Sequence, residues 1–426
     1  MKRVSYLLIL LAAAACSAAM GIMTYYSAVE DEAAGQLELQ TLQALEQESW
    51  YLPLDDAYDS IHEINGAEKE LYGARYEDRE VLMDKRGNVL LKIPKERSAF
   101  EPQKGWISSD MDSDGEGDGL LRFYDSEKKE YGFMDLEGNT VIKASYAQAT
   151  DFADGYAVIQ DEMEGHQNIM AVIDRSGRII YDPTKEGQWY EWFSKVKRLG
   201  GGLFLLTSQR GGKYRILDAK ENQVIKEIEG AGAFDLEPLG EGRCARFDDE
   251  DQMQLLDEDF DSVSEDTFVW MDGFSEGLCF ARWKEGTETV SGYVDADGKA
   301  RIAAGDALYG SRFKEGKAFL WTKDRVRVID TAGRILFEKE LSKELNETDY
   351  QLNSRYDEAP AETAPCWFRN GLAICYDGSC YGILDERGKW LIQPVMDDAA
   401  FCGKDAAAVR LGAREGILKV GEKDEG

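Results

Sequence analysis

From about residue 51 onward, apolar and polar positions alternate in short runs, and the runs recur. Eight of them end on aspartate: "VLMDKRGN", "GFMDLEGN", "AVIDRSGR", "RILDAKEN", "QLLDEDFD", "GYVDADGK", "RVIDTAGR" and "GILDERGK", with the aspartates at 84, 135, 174, 218, 257, 295, 330 and 385. Six of the eight carry glycine three residues later. Aspartate at the first position of a type I turn accepts hydrogen bonds from the turn's backbone, and glycine suits its fourth position. A second apolar run follows each turn, as in "NTVIKA", so each unit is predicted to be a β-hairpin. The turns at Asp218 and Asp257 lack the glycine and read as degenerate copies.

A second motif precedes most hairpins: "FADGYAVI", "LGGGLFLL", "LGEGRCARF", "FSEGLCFAR", "FKEGKAFLW" and "FRNGLAICY". Its glycines, at 155, 202, 242, 277, 316 and 371, stand 14 to 19 residues before the next turn aspartate. Each repeat therefore has at least three strands, and segments such as "ASYAQATDF" supply a fourth. A period of 35 to 55 residues with this strand count predicts an all-β chain of about eight hairpin units, a seven- or eight-bladed β-propeller. An open, solenoid-like stack of the same units is the alternative. "GILKV" at 416–420 begins one more repeat and stops, as expected if a strand from the start of the array completes the last blade.

The order aromatic-Gly-apolar-apolar-Asp-x-x-Gly, strand, Tyr, then Phe-x-x-Gly and strand resembles the bacterial WG repeat. "YGFMDLEGNTVIKASYAQATDFADGYAVI" (131–159) is the cleanest copy and "YGILDERGKWLIQPVMDDAAF" (381–401) the next. The name-giving Trp is Tyr at 131 and 381. The resemblance spans roughly residues 80 to 420 and implies an all-β repeat protein, secreted or membrane-anchored, with no catalytic residues to carry over.

Composition narrows the function. With 82 acidic against 50 basic residues and a net charge of −32, the surface repels nucleic acid and anionic lipid. An 11% share of aromatic residues excludes disorder of the whole chain.

The N-terminus reads separately. Lys2 and Arg3 precede an uncharged run, Val4–Val29, long enough to span a bilayer, and Glu30, Asp31 and Glu32 follow it. The charge bias makes 1–29 a transmembrane signal anchor with its N-terminus in the cytoplasm and the body outside, a single-pass arrangement. Cleavage after Ala19, giving a secreted chain, and lipidation at Cys16 in "AAAAC" are the alternatives. Residues 30–50 form an acidic helical stalk, and 51–426 the repeat domain.

Three stretches outside the repeat carry candidate chemistry. "SSDMDSDGEGDGLL" matches D-x-D-x-D-G-x-x-D at Asp110, Asp112, Asp114 and Asp118, and alternate carboxylates around a glycine turn suit calcium. Leu121 stands where an EF-hand needs glutamate, so that reading fails. The spacing resembles the calcium loops of integrin-type FG-GAP blades, which implies one structural Ca2+ with the Glu116 carbonyl as a further ligand. A solvated acidic loop is the alternative. In "ICYDGSCYG", a two-residue turn at Asp377-Gly378 sets Cys375 opposite Cys380, within disulfide range, or else leaves two packed free thiols. "WYEWF" offers Trp189, Tyr190 and Trp192 for ligand stacking, with packing between blades as the other reading.

Catalysis finds little support. His62 and His166 are the two histidines, both read as surface residues outside any metal or nucleophile pattern, and the repeated aspartates read as turn residues. The expectation is a non-enzymatic, monomeric module, tethered to the membrane by its N-terminal helix, that binds a protein, peptide or envelope glycan. The alternative is an envelope hydrolase or lectin-like enzyme accessory with carboxylates in the propeller channel.

Overall fold

The computed structural model describes residues 45, 48–64, 70–100, 118–163, 166–180, 193–208, 213–229, 236–247, 252–345 and 368–420. The chain divides into Met1–Trp50 and Tyr51–Gly426. In the first unit, Trp50 Nε1 donates to the Leu45 carbonyl at 2.9 Å. The run Val4–Val29 and residues 30–44 lie outside the described residues, among which no helix is long and apolar enough to cross a membrane.

The repeats form a β-propeller, but it has nine blades, not seven or eight. Among the described residues, eight sheets have four strands each and one has three. Blade 1 runs from Tyr58–Glu63 to Val89–Lys92, blade 2 from Arg97–Ser98 to Thr140–Tyr146, and blade 3 from Gln148–Ala149 to His166–Asp174. Blade 4 begins at Phe193–Gly200, blade 5 at Leu236–Gly240, blade 6 at Trp270–Met271, blade 7 at Tyr309–Gly310 and blade 8 at Phe368–Arg369. Blade 9 comprises Asp398–Cys402, Ala406–Leu411 and Arg414–Lys419, and its outermost strand is Trp50–Asp55, from the other end of the repeat domain. That closure explains the miscount. Each aspartate turn follows the third strand of a blade and, in every blade that has one except blade 3, leads into its outer strand; in blade 9 the third and outer strands come from opposite ends of the repeat domain and no such turn joins them. Nine blades therefore carry eight turns.

Within a blade the outer strand is exposed or half-buried along its length, as in Ile335–Glu340, while the second strand, as in Lys317–Trp321, is buried almost throughout. The core is a series of apolar seams between successive sheets. Phe133, Phe152, Ile159 and Ile173 fill the seam of blades 2 and 3, and Val196, Phe204, Val158 and Val172 that of blades 3 and 4. Leu52, Tyr72, Ala406 and Ile417 fill the seam of blades 9 and 1.

The two glycines of the repeat have separate reasons. Gly132 and Gly382, which follow the aromatic residue, sit in third strands where the outer strand changes register. The irregularity pushes backbone against them: a Cβ on Gly132 would meet Ala144 N at 2.6 Å, and one on Gly382 would meet Ile392 O at 2.8 Å. The turn glycines have positive φ and also lie under the preceding blade. Leu91 covers Gly138, Ile302 covers Gly333, Phe337 covers Gly388, and Leu52 of blade 9 covers Gly87 of blade 1. A local turn residue is thus also a contact between blades.

Candidate functional site

The turn aspartates act as the alternation predicts. Asp135 Oδ1 accepts the backbone N–H of Glu137 at 3.1 Å and of Asn139 at 2.7 Å, while the Gly138 N–H donates to the Asp135 carbonyl at 3.0 Å. Asp84, Asp174, Asp295, Asp330 and Asp385 repeat the pattern. Of the degenerate turns, the one at Asp257 keeps the backbone shape, with Phe260 in the glycine's place at φ 60°, whereas the one at Asp218 is a residue longer: its carboxylate accepts from Lys220 N and Glu221 N, and the positive φ, 53°, falls on Asn222. Burial alone would raise the pKa of Asp135. Hydrogen bonds from Asn139, Glu137 and Gly138 outweigh it and hold the carboxyl below the ordinary value of 3.8.

The second motif forms another row of turns on the same edge of the blades, and sequence reading missed its main feature. Asp154-Gly155, Glu241-Gly242, Glu276-Gly277, Glu315-Gly316 and Asn370-Gly371 all have positive φ at both residues, the requirement of a type I′ hairpin. At Glu241, Glu276 and Glu315 the acidic side chain then reaches into the next blade. Glu241 accepts from Gly277 N at 3.0 Å, Glu276 from Gly316 N at 2.9 Å, and Glu315 from Asn370 N at 2.6 Å and Gly371 N at 3.1 Å. The signal was present in "GEG", "SEG" and "KEG", an acid before each glycine.

Asp118 belongs to this row. Asp118 and Gly119 both have positive φ, and the Asp118 carboxylate accepts the N–H of Gly155 in blade 3. It is one of the five proposed calcium ligands; Asp110, Asp112, Asp114 and Glu116 lie outside the described residues. Among the described residues no group of three or more His, Cys, Asp or Glu could hold a metal ion. Trp189, Tyr190 and Trp192 are likewise outside them.

The ring closes through charged side chains as well as through its last strand. Asp405 of blade 9 pairs with the Tyr51 hydroxyl and with Lys85 of blade 1 at 3.1 Å. Lys85 also meets Glu70 at 3.3 Å and lies 4.1 Å above the Tyr51 ring. Glu415 accepts from Ile61 N at 2.6 Å, and Glu63 from Gly403 N at 2.8 Å. The Tyr51 hydroxyl, with help from Lys85, holds the Asp405 carboxyl below its ordinary value against the effect of burial.

The hairpin at Asp377 differs from expectation. Tyr376 pairs with Tyr381 and Cys375 with Gly382, so the two cysteines are not opposite each other, and both are free thiols. The Asp377 side chain accepts from Ser379 N and Cys380 N, each at 3.0 Å, which widens the loop to four residues. Cys244 and Cys402 are also free and buried, and burial, the main cause, pushes each thiol up to about 12. His62 is half-buried, not a surface residue. Its ring lies 4.9 Å from Phe100 and occupies the space beside Gly73, where a Cβ would meet it at 2.6 Å.

Comparison with known proteins identifies one repeat. Residues 131–162 match the family described as WG containing repeat. No curated protein matches the chain. Among solved structures, Kluyveromyces lactis Hsv2 is 11% identical with a TM-score of 0.36, covering 64% of this chain and 92% of its own. Dihydro-heme d1 dehydrogenase NirN in complex with DHE is 12% identical with a TM-score of 0.38, covering 86% of this chain and 74% of its own. Sqt1 from Saccharomyces cerevisiae is 10% identical with a TM-score of 0.31, covering 72% and 91%. At such values the likenesses carry no argument about ligand or activity.

Proposed function

We propose that this chain is a membrane-anchored, extracytoplasmic, non-enzymatic module that holds a protein, peptide or envelope glycan on its nine-bladed ring. One observation carries the reading. The recurring carboxylates, the residues best suited by number to acid–base chemistry, bind backbone N–H groups: the turn aspartates within their own blades, and Asp118, Glu241, Glu276 and Glu315 across to the next. They build the ring and are not left open toward a substrate. The uncharged run Val4–Val29 after Lys2 and Arg3 supports the tether and its orientation.

We also infer that the loop before blade 2's second strand takes one structural Ca2+ through Asp110, Asp112, Asp114 and the Glu116 carbonyl. Asp118 would contribute the oxygen that does not face Gly155.

The tether is tested by treating intact cells with an external protease while following a C-terminal tag on the full chain. Loss of the tag from the membrane fraction is expected. A tag protected until the membrane is dissolved would sink the extracytoplasmic assignment.

A further inference from the structure

One turn in the row of glycine hairpins differs from the others in chemistry. Asp118, Asp154, Glu241, Glu276 and Glu315 stand before the glycine in other blades, whereas blade 8 has Asn370 before Gly371. Asn370 is exposed to solvent. Asparagine followed by glycine is the dipeptide most open to deamidation, because the second residue has no side chain to hinder the approach of its nitrogen.

The pair is held from both sides. The Glu315 carboxylate of blade 7 accepts the N–H of Asn370 at 2.6 Å and that of Gly371 at 3.1 Å. From the other side, Asn370 Nδ2 donates to the Lys404 carbonyl of blade 9 at 3.1 Å. Deamidation begins when the Gly371 nitrogen loses its proton and attacks Cγ of Asn370. A carboxylate already on that N–H opposes the first event, since the nitrogen would become an anion beside another negative charge. The bond to Lys404 opposes the second, because it fixes the amide that must swing toward the chain. Asn370 and Gly371, with φ of 54° and 74°, are thus held in their turn by both neighbouring blades.

We propose that Asn370-Gly371 is a deamidation site that the Glu315 carboxylate keeps closed in the intact ring. When the contact opens, the Gly371 N–H proton passes to a solvent base and the nitrogen bonds to Asn370 Cγ. The Cγ–Nδ2 bond breaks, and the departing nitrogen takes a proton from solvent and leaves as ammonia. Water then opens the cyclic imide at either carbonyl, giving an aspartyl or an isoaspartyl residue. Neither product has an amide to give the Lys404 carbonyl, so conversion removes the contact with blade 9. The modification therefore records opening of the junction between blades 7 and 8.

The test incubates the full chain in mildly alkaline buffer and follows the peptide containing Asn370 by mass spectrometry after digestion. The peptide containing the chain's other Asn-Gly pair, Asn65-Gly66, is resolved separately. The same chain unfolded in guanidinium gives the unprotected rate. In the folded parent, conversion is expected to be at least about tenfold slower, because two hydrogen bonds to a charged group must first be lost. Glu315→Ala is expected to recover most of that factor, with its melting temperature showing that it stays folded during the incubation. Should it not stay folded, Glu315→Gln decides: its single oxygen can accept only one of the two N–H groups and carries no charge, so conversion again speeds up. Glu241→Ala breaks the equivalent contact between blades 5 and 6 and should leave the rate at Asn370 unchanged. Equal rates in the folded and unfolded parent, no acceleration in the folded Glu315 variant, or the same acceleration in Glu241→Ala would each overturn the proposal.

Discussion

The carboxylate of Glu276 in blade 6 accepts the backbone N–H of Gly316 in blade 7 at 2.9 Å. Glu241 makes the same contact from blade 5 to blade 6, and Glu315 from blade 7 to blade 8. The turns at Glu276-Gly277, Glu315-Gly316 and Asn370-Gly371 are thus each pinned by the acid of the blade before. Glu276→Ala is expected to cost about 1 kcal/mol, the usual net value of such a hydrogen bond, because both groups are near solvent. Glu241→Ala and Glu315→Ala should add to it independently, since they touch different junctions. Urea denaturation measures all three. A cost near zero for each would show that the contacts follow from the ring and do not hold it.

Two glycines with similar backbone angles should respond differently to alanine. Gly155 has φ +86° and open space beside it, whereas Gly388 has φ +75° and the Phe337 ring of the preceding blade 2.5 Å from a Cβ. Gly155→Ala should cost only the backbone strain, about 1 kcal/mol. Gly388→Ala adds overpacking worth roughly 1–3 kcal/mol. Shortening Phe337 to Leu in the Gly388→Ala chain should recover part of that loss. Equal costs at the two glycines, or no recovery, would argue against contact between the blades at this turn.

Asp118 stands at the junction of two roles, and calcium separates them. Millimolar calcium is expected to raise the melting temperature of the parent chain, and Asp110→Ala with Asp114→Ala to abolish the shift. Asp118→Ala should lower the melting temperature in EDTA as well, because its contact with Gly155 needs no metal. No shift with calcium in the parent removes the metal from the loop. An Asp118→Ala effect confined to calcium-containing buffer removes the contact with Gly155.

The turn carboxylates make the ring acid-sensitive. Asp84, Asp135, Asp174, Asp295 and Asp330 all titrate below the ordinary value of 3.8 in the folded chain. In Asp330 the Arg334 N–H is the main cause; in the others burial opposes the shift and hydrogen bonds overcome it. A carboxyl depressed on folding contributes stability that is complete above its unfolded value and lost as pH falls through the folded one. Melting temperature should therefore hold between pH 7 and 5 and fall below about 4. Asp135→Asn, which keeps an oxygen acceptor for the turn, should make that fall shallower. An unchanged acid limb in Asp135→Asn would assign it to other groups.

Local pattern made the hairpins legible. Alternation located the strands, and Asp-x-x-Gly specified turns whose hydrogen bonds close within five residues, so no distant partner was needed. Where the same local chemistry was ambiguous, the reading slipped. Asp377-Gly378 is a favoured two-residue turn by type, yet the Asp377 side chain caps Ser379 and Cys380 and moves Cys375 opposite Gly382.

What the amino-acid order determined by itself was the unit: an all-β blade with an aspartate turn, a glycine hairpin and a buried second strand. The number of units, the partner of each acidic residue before a glycine, and the second reason for each turn glycine were decided only by closure of the ring. Those contacts join residues some 40 to 350 positions apart, such as Glu276 with Gly316 and Tyr51 with Asp405. Periodicity specifies what each repeat buries. It does not specify how many repeats complete the circle, because the angle between blades is set by packing across the seams, and the last blade is assembled from both ends of the ring domain.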